Sequence, residues 1–319
     1  MNNPLISIIL PTYNVEKYIA RALESCINQT FKDIEIIVVD DCGTDKSIDI
    51  AKEYASKDER IKIIHNEENL GLLKTRYKGV KAAGGGYIMF LDPDDYLELN
   101  ACEECAKILD KNNDVDLICF NFNRISNQLI TQESFFDNGV YSQKNYYNFL
   151  YTKLPKSFWN IWCRVFNKIK LTNTLNQIMQ KLGSSKITMG EDAIIYFYFI
   201  QQIQKVITIS PYLYNYNCDN TNSSSNSDNK FQIKKHEQEL KHIIYLIENN
   251  AKSFQINNLF YIYIQINILY LKISAIDLKY KKLDPNFFIK ILLKLQRKKL
   301  KNDLKKYFNH YYLVRFKYE

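Results

Sequence analysis

The sequence predicts an α/β protein whose mainly parallel sheet is covered by helices on both faces. Three observations predict it. Short, almost continuously apolar runs rich in β-branched residues recur through the first half, segments with apolar residues at helical spacing alternate with them, and the polar clusters of that half follow the apolar runs directly. Parallel neighbours need crossovers of a dozen or more residues, and the intervening segments supply them.

The elements follow in order. Leu5 to Leu10 reads as the first strand, and Val15 to Thr30, with apolar residues at 15, 19, 22, 23, 26 and 27, as a helix. Ile34 to Val39 is a buried strand, Ser47 to Lys57 a helix, Ile61 to His65 a strand, Leu72 to Ala83 a helix and Tyr87 to Leu91 a strand. Gly84-Gly85-Gly86 precedes a strand instead of opening a helix, so it reads as a turn and not as a phosphate cradle. Residues 123–217 are aromatic and irregular, and within them Gly190-Glu191-Asp192 leads into the apolar run Ala193 to Ile200. Cys218 to Lys230 is polar and of low complexity and is expected to be a flexible loop. From 231 to 319 the pattern is helical. Phe260 to Leu271, interrupted by Gln265 and Asn267, is too short to span a bilayer and fits a buried or interfacial helix. The expected organisation is 1–122, 123–217, the loop 218–230 and the basic helical region 231–319.

With 46% hydrophobic residues in 319, the chain can bury a substantial core. The start M-N-N-P-L-I lacks the features of a secretory signal, and the seven scattered cysteines do not form a disulfide framework, so a cytosolic protein is expected. Cys102-x-x-Cys105 has no second pair and no suitably spaced histidine, which disfavours zinc. The net charge of +8 is unevenly placed. Residues 279–319 hold thirteen Lys or Arg against Asp284, Asp303 and Glu319, a local +10, so the other 278 residues sum to −2. A nucleic-acid enzyme carries its basic charge around the active cleft, whereas a basic terminal appendage fits an anionic surface. Phe287, Phe288, Ile291, Leu292 and Leu295 would add a shallow apolar face, and the alternative is a solvated basic helix packed on the rest of the protein.

Pro11-Thr12-Tyr13-Asn14, Asp40-Asp41 and Asp92-Pro93-Asp94-Asp95 each follow a strand, and in a parallel sheet ligands bind beyond the carboxyl ends of the strands. All three clusters are therefore expected on one rim. Three carboxylates within four positions repel one another unless a hard divalent cation neutralises them; a polar turn capping the next helix is the alternative. No G-x-G-x-x-G follows the first strand and no G-x-x-x-x-G-K-[ST] occurs, which leaves a dinucleotide fold and a P-loop without support.

These residues carry a family resemblance. I-S-I-I-L-P-T-Y-N, I-I-V-V-D-D-x-x-x-D-x-S, N-x-G-x-x-x-x-R, Y-I-M-F-L-D-P-D-D and G-E-D resemble family 2 glycosyltransferases of the GT-A fold, over about residues 5 to 200. Before residue 120 the chain is particularly similar to bacterial lipo-oligosaccharide β-1,3-galactosyltransferases of the Campylobacter type. The resemblance implies a GT-A Rossmann-like sheet with a helical C-terminal extension, a UDP-sugar donor and Mn²⁺ or Mg²⁺. It places Pro11, Thr12 and Tyr13 around a uracil whose imide N–H Asp41 accepts, Asn69 and Arg76 near the uridine and diphosphate, Asp92 on the ribose and Asp94 on the metal. Asp192 is implied as the base that takes the acceptor's proton, in an inverting single displacement.

Alternatives stay open at several of these positions. Tyr13 also suits a core position, Lys74 competes with Arg76 for phosphate, and Glu191-Asp192 also suits the N-terminus of the next helix. Trp159 and Trp162, three apart on an expected helix, fit either a sugar platform or core. Pro93 and Cys42-Gly43 depart from the residues usual in the wider family. The Q-x-x-R-W signature of processive relatives is absent. The expectation is a galactosyl or related hexosyl transferase acting on a lipid-linked oligosaccharide, with its basic tail on the cytoplasmic face of the inner membrane. A nucleotidyltransferase would want a glycine-rich basic loop after the first strand, which P-T-Y-N-V-E-K is not.

Overall fold

The structure is a computed structural model that describes residues 4–112, 114–153, 158–220, 230–251, 259–282, 294–303, 305 and 306. The chain divides into two compact units, residues 1–143 with 160–221, and residues 144–159 with 222–319.

The first unit is built on one sheet. β1 (Ile6–Thr12), β2 (Ile34–Asp40), β3 (Ile61–His65) and β4 (Tyr87–Phe90) are parallel, in the order β3-β2-β1-β4. The crossovers are α1 (Ile19–Ile27), α2 (Ser47–Ala55) and α3 (Leu72–Ala82). β1 to β4 are almost wholly buried apart from β3, as continuous apolar runs covered on both faces must be. Beyond β4 the sheet becomes mixed. β9 (Arg164–Asn167) runs antiparallel between β4 and β6 (Leu117–Ser126), and β10 (Lys205–Asn217) runs parallel to β6. Three short strands, β5 (Tyr96–Leu97), β7 (Leu129–Glu133) and β8 (Gly139–Ser142), pair antiparallel with β10, β6 and β10 respectively. The expected 122/123 division falls inside β6, and of the two expected segments only residues 144–159 lie outside the first unit.

Strand order changes direction at β1, which lies between β2 and β4; this is the switch point beside which ligands bind in open α/β sheets. Register aligns the strand ends there. Thr12 pairs with Asp40, Asp40 with His65 and Ile9 with Phe90, so the residues after them form one row.

Three boundaries differ from expectation for a reason visible in the hydrogen bonding. The segment from Val15 to Tyr18 is a turn and not the start of α1, because the Val15 and Glu16 N–H groups donate to Ser47 Oγ and Asp45, both at 2.8 Å. β1 and β2 run on to Thr12 and Asp40, since their parallel pairing continues that far.

The glycine turn before β4 serves an internal anion. Gly84 and Gly85 N–H donate to the Glu35 carboxylate at 2.5 and 3.0 Å, and Ser7 and Lys62 complete it at 2.5 and 2.7 Å. Burial alone would raise the Glu35 carboxyl, but the bonds from Lys62, Ser7 and the two glycines outweigh it and hold it below its ordinary value. Helix α4 (Ala101–Lys111) buries Cys102 and Cys105, and all seven cysteines are free thiols. The unit also contains α6 (Lys168–Leu182) and α7 (Glu191–Phe199).

The second unit contains most of α5 (Gln143–Lys153), together with α8 (Lys230–Ala251) and α9 (Leu259–Lys282). α9 buries Tyr263, Ile264, Ile266 and Ile268, and Lys272 of α9 pairs with Glu248 of α8. Arg297, in a helix over 294–303, reaches Asp277 at 2.6 Å. Among the described residues no helix is long and apolar enough to cross a membrane. The expected polar loop is described only at 218–220 and 230, and Phe287, Phe288, Ile291 and Leu292 lie outside the described residues; Leu295 is exposed.

Candidate active site

The rim beyond β1, β2 and β4 gathers the polar clusters. Pro11 and Thr12 are buried at the end of β1, while the Tyr13 ring is half exposed, which removes the core reading for that residue. Asn14, at φ 53°, accepts the Thr44 N–H at 2.7 Å and ties this corner to the loop after β2. Asp41 is buried and holds the loop before α3: its carboxylate accepts Asn66 Nδ2 at 2.9 Å, Leu70 N at 2.7 Å and Gly71 N at 3.0 Å. Asn69 Nδ2 donates to the Asp41 carbonyl at 3.2 Å. Gly71 has φ +81°, and a Cβ there would stand 3.2 Å from the Ile187 carbonyl, so the glycine of the N-x-G stretch answers both a backbone and a packing demand.

The loop after β4 is held from several sides. Arg21 of α1 donates to the Asp94 carbonyl at 2.7 Å and lies over the Tyr96 ring. Asp95 is buried and accepts Tyr214 Oη at 2.6 Å and Asn217 N at 2.7 Å, while Asp92 N–H donates to Tyr214 Oη at 3.2 Å. Asn220 donates to Asp94 Oδ2 at 2.8 Å. Burial and then the neighbouring charges raise both carboxyls: Asp92 acts on Asp94, and Asp94 and Asp92 push Asp95 well above the ordinary range.

These observations test whether a divalent cation fits. The donors are hard carboxylate oxygens whose mutual repulsion a cation would relieve. Among the described residues no three His, Cys, Asp or Glu side chains are grouped to hold an ion by themselves, so an ion at Asp94 would complete its shell from phosphate and water. The residues present fit an ion bound together with a nucleotide diphosphate.

Arg76 has the most distinctive surroundings. Its side chain is 1% exposed, and its Nη2 lies 2.8 Å from Asp92, 3.6 Å from Glu191 and 3.8 Å from Asp192. The guanidinium also lies over the Phe90 ring, 5.2 Å from its centroid. The resemblance placed Arg76 near phosphate and Asp92 on the ribose; here the two are bonded to each other. Lys74, two positions earlier, points about 200° away around the helix and is half exposed.

Glu191 and Asp192 open α7, which follows Gly190 in the left-handed region at φ 84°. That position also satisfies the helix-start reading, and both side chains turn inward to Arg76. Burial is the largest influence on each. It raises Asp192 to about 6, against the opposing pull of Arg76, and raises Glu191 well above its ordinary value, with Asp192 adding to it. A carboxylate of this kind is poised to take a proton near neutral pH.

Trp159 and Trp162 lie in irregular structure and not on the expected helix. Trp162 is 6% exposed and stacks on Tyr214 and Tyr216 at 4.6 and 5.3 Å, with Phe122 edge-on, so it is a wall of the core and offers no open face to a sugar. Sequence reasoning missed Arg21, Tyr214, Asn217 and Asn220. Nothing local pairs Asn217 with Asp95, 122 positions earlier.

A family model described as Glycosyl transferase family 2 matches residues 7–168. "Putative glycosyltransferase EpsH" of Bacillus subtilis (strain 168) is 44% identical over 122 residues, covering 38% of this chain and 35% of that protein. "Glycosyltransferase GlyA" of Streptococcus pneumoniae serotype 4 is 33% identical over 217 residues, 66% of this chain and 30% of that protein. The chain thus spans about a third of the length of these curated relatives. Among solved structures, S. aureus TarS 1-349 in complex with UDP-GlcNAc gives a TM-score of 0.60 at 20% identity, covering 97% of this chain and 92% of that one. Mannosyltransferase PcManGT from Pyrobaculum calidifontis, in complex with GDP-Man and Mn²⁺, gives 0.55 at 13% identity, covering 96% and 85%. These likenesses show the fold, which is GT-A.

Proposed function

The chain belongs to glycosyl transferase family 2, and from that premise we propose that it is an inverting, metal-dependent hexosyltransferase that uses a UDP-sugar and a lipid-linked surface oligosaccharide. The observation that carries this reading is the meeting of Asp92, from the acidic loop after β4, and Asp192, from the start of α7, at one guanidinium. A donor-side carboxylate and a desolvated candidate base thereby share one site.

In this reading Tyr13 flanks the uracil with Pro11 and Thr12, and Asp41, with Asn69 beside it, accepts the imide N–H. Asp94 would hold a divalent ion, Mn²⁺ or Mg²⁺, which would supply charge neutralisation for the departing diphosphate. Asp192 accepts the proton of the acceptor hydroxyl as that oxygen bonds to the anomeric carbon and the bond to the diphosphate breaks on the opposite face. A UDP-α-hexose then yields a β-linkage. UDP-Gal is the first candidate donor, from the similarity of the first 120 residues; the TarS complex with UDP-GlcNAc keeps N-acetylhexosamines in the test. The basic stretch 279–319 would hold the enzyme on an anionic cytoplasmic leaflet.

The test is UDP release by purified protein with Mn²⁺ from UDP-Gal, UDP-GalNAc, UDP-Glc and UDP-GlcNAc in turn. One donor is expected to be turned over, with EDTA stopping release and Asp94→Ala lowering it at least 100-fold. Metal-independent turnover, or full activity of Asp94→Ala, would overturn the metal assignment. Transfer with retained anomeric configuration would overturn the single displacement.

A further inference from the structure

We propose that Arg76 is a positioning residue, not a phosphate ligand: it is the shared counter-ion that couples the donor-side Asp92 to the base Asp192. The proposal rests on the reading of Asp192 as base. The Arg76 side chain is 1% exposed and its Nη2 is committed to Asp92 at 2.8 Å, with Glu191 and Asp192 at 3.6 and 3.8 Å. Arg76 Nε and Nη1 and Asp192 Oδ1 are buried with no hydrogen-bond partner among the described residues. Three carboxylates therefore compete for one guanidinium that has further donors to offer.

The groups that face Asp192 set what this does. They are Arg76 on α3, Asp92 after β4, Glu191 on its own helix and the Ile161 main-chain N–H before β9, with Tyr214 of β10 beside Arg76. Arg76 is the sole cation among them. Its charge keeps a desolvated Asp192 ionised, and how much of that charge Asp192 feels depends on how much Asp92 takes. Whatever moves Asp92, donor binding above all, would then retune the base.

The test reads Asp192 itself, by ¹³Cγ-aspartate NMR titration with the resonance assigned by Asp192→Asn, beside calorimetric binding of UDP with Mn²⁺. In Arg76→Gln the titration of Asp192 is expected to move up by at least one pH unit, a tenfold loss of the ionised form at a given acidic pH. The Kd for UDP is expected to stay within threefold. In Asp92→Asn, which frees Arg76 for the base, the titration is expected to move down. An unmoved Asp192 in either variant overturns the proposal, as does tenfold weaker UDP binding in Arg76→Gln with the Asp192 titration unchanged, the mark of a phosphate ligand. If Arg76→Gln does not fold, Arg76→Lys, which keeps the charge but shortens its reach, takes its place, and a smaller upward move of Asp192 is expected. Full activity of Asp192→Asn would instead remove the base assignment and leave the electrostatic coupling to the titration.

Discussion

At the residue scale, the chemistry turns on how few charges share the site. Asp192 is raised to about 6 by burial, with Arg76 opposing. A base must be deprotonated to act, so activity is expected to fall as pH drops through about 6 and to level off above it. A kcat–pH profile for the preferred donor checks this; a limb near 4, the ordinary aspartate value, would show that the base is solvated or is another group. Asp192→Asn removes the proposed proton acceptor and is expected to lower acceptor-dependent kcat by about 10² to 10⁴-fold while UDP binding with Mn²⁺ stays nearly unchanged. Normal transfer by this variant would assign the base elsewhere.

At the element scale, the parallel core holds the rim in place through close packing of helix on sheet. A Cβ at Gly79 of α3 would stand 2.5 Å from Ile9 Cγ2 of β1 and 3.1 Å from Val39 Cγ2 of β2. Gly79→Ala is therefore expected to destabilise the protein by about 1–3 kcal/mol, since overpacking forces the backbone apart, even though alanine is the better helix former. A lowered melting temperature checks it, and an unchanged or raised one would mean that α3 can slide without cost. Because α3 carries Arg76, the same substitution is expected to reduce activity more than it reduces UDP affinity. The glycine turn before β4 and the Gly71 entry to α3 are further positions where backbone, not side chain, decides the local form.

At the scale of the whole molecule, charge is segregated. The last 41 residues carry +10 and the rest −2. Replacing the exposed Lys298, Lys299, Lys301, Lys305 and Lys306 with glutamine is expected to weaken co-sedimentation with phosphatidylserine vesicles, by on the order of 1 kcal/mol per lysine near the surface. Undiminished co-sedimentation would assign these lysines to solvent. The sequence by itself determined the α/β class, the order of the first seven elements and the rim clusters, because apolar periodicity and strand-end polarity are local properties of the chain. Asp94 was legible as a candidate for the same reason, and Asp192 through the resemblance that its G-E-D step carries. It misread Trp159 and Trp162 as helical and left the partners of Arg76 unnamed, because neither packing nor ion pairing leaves a mark in residue spacing. Only the tertiary structure decided that β9 enters the sheet antiparallel, that Tyr214 and Asn217 clamp the acidic loop, and that the half-buried Asp92 and Asp192, 100 positions apart, meet at the buried Arg76. Burial and Coulomb attraction act through space, and their partners are chosen only when the chain has closed on itself.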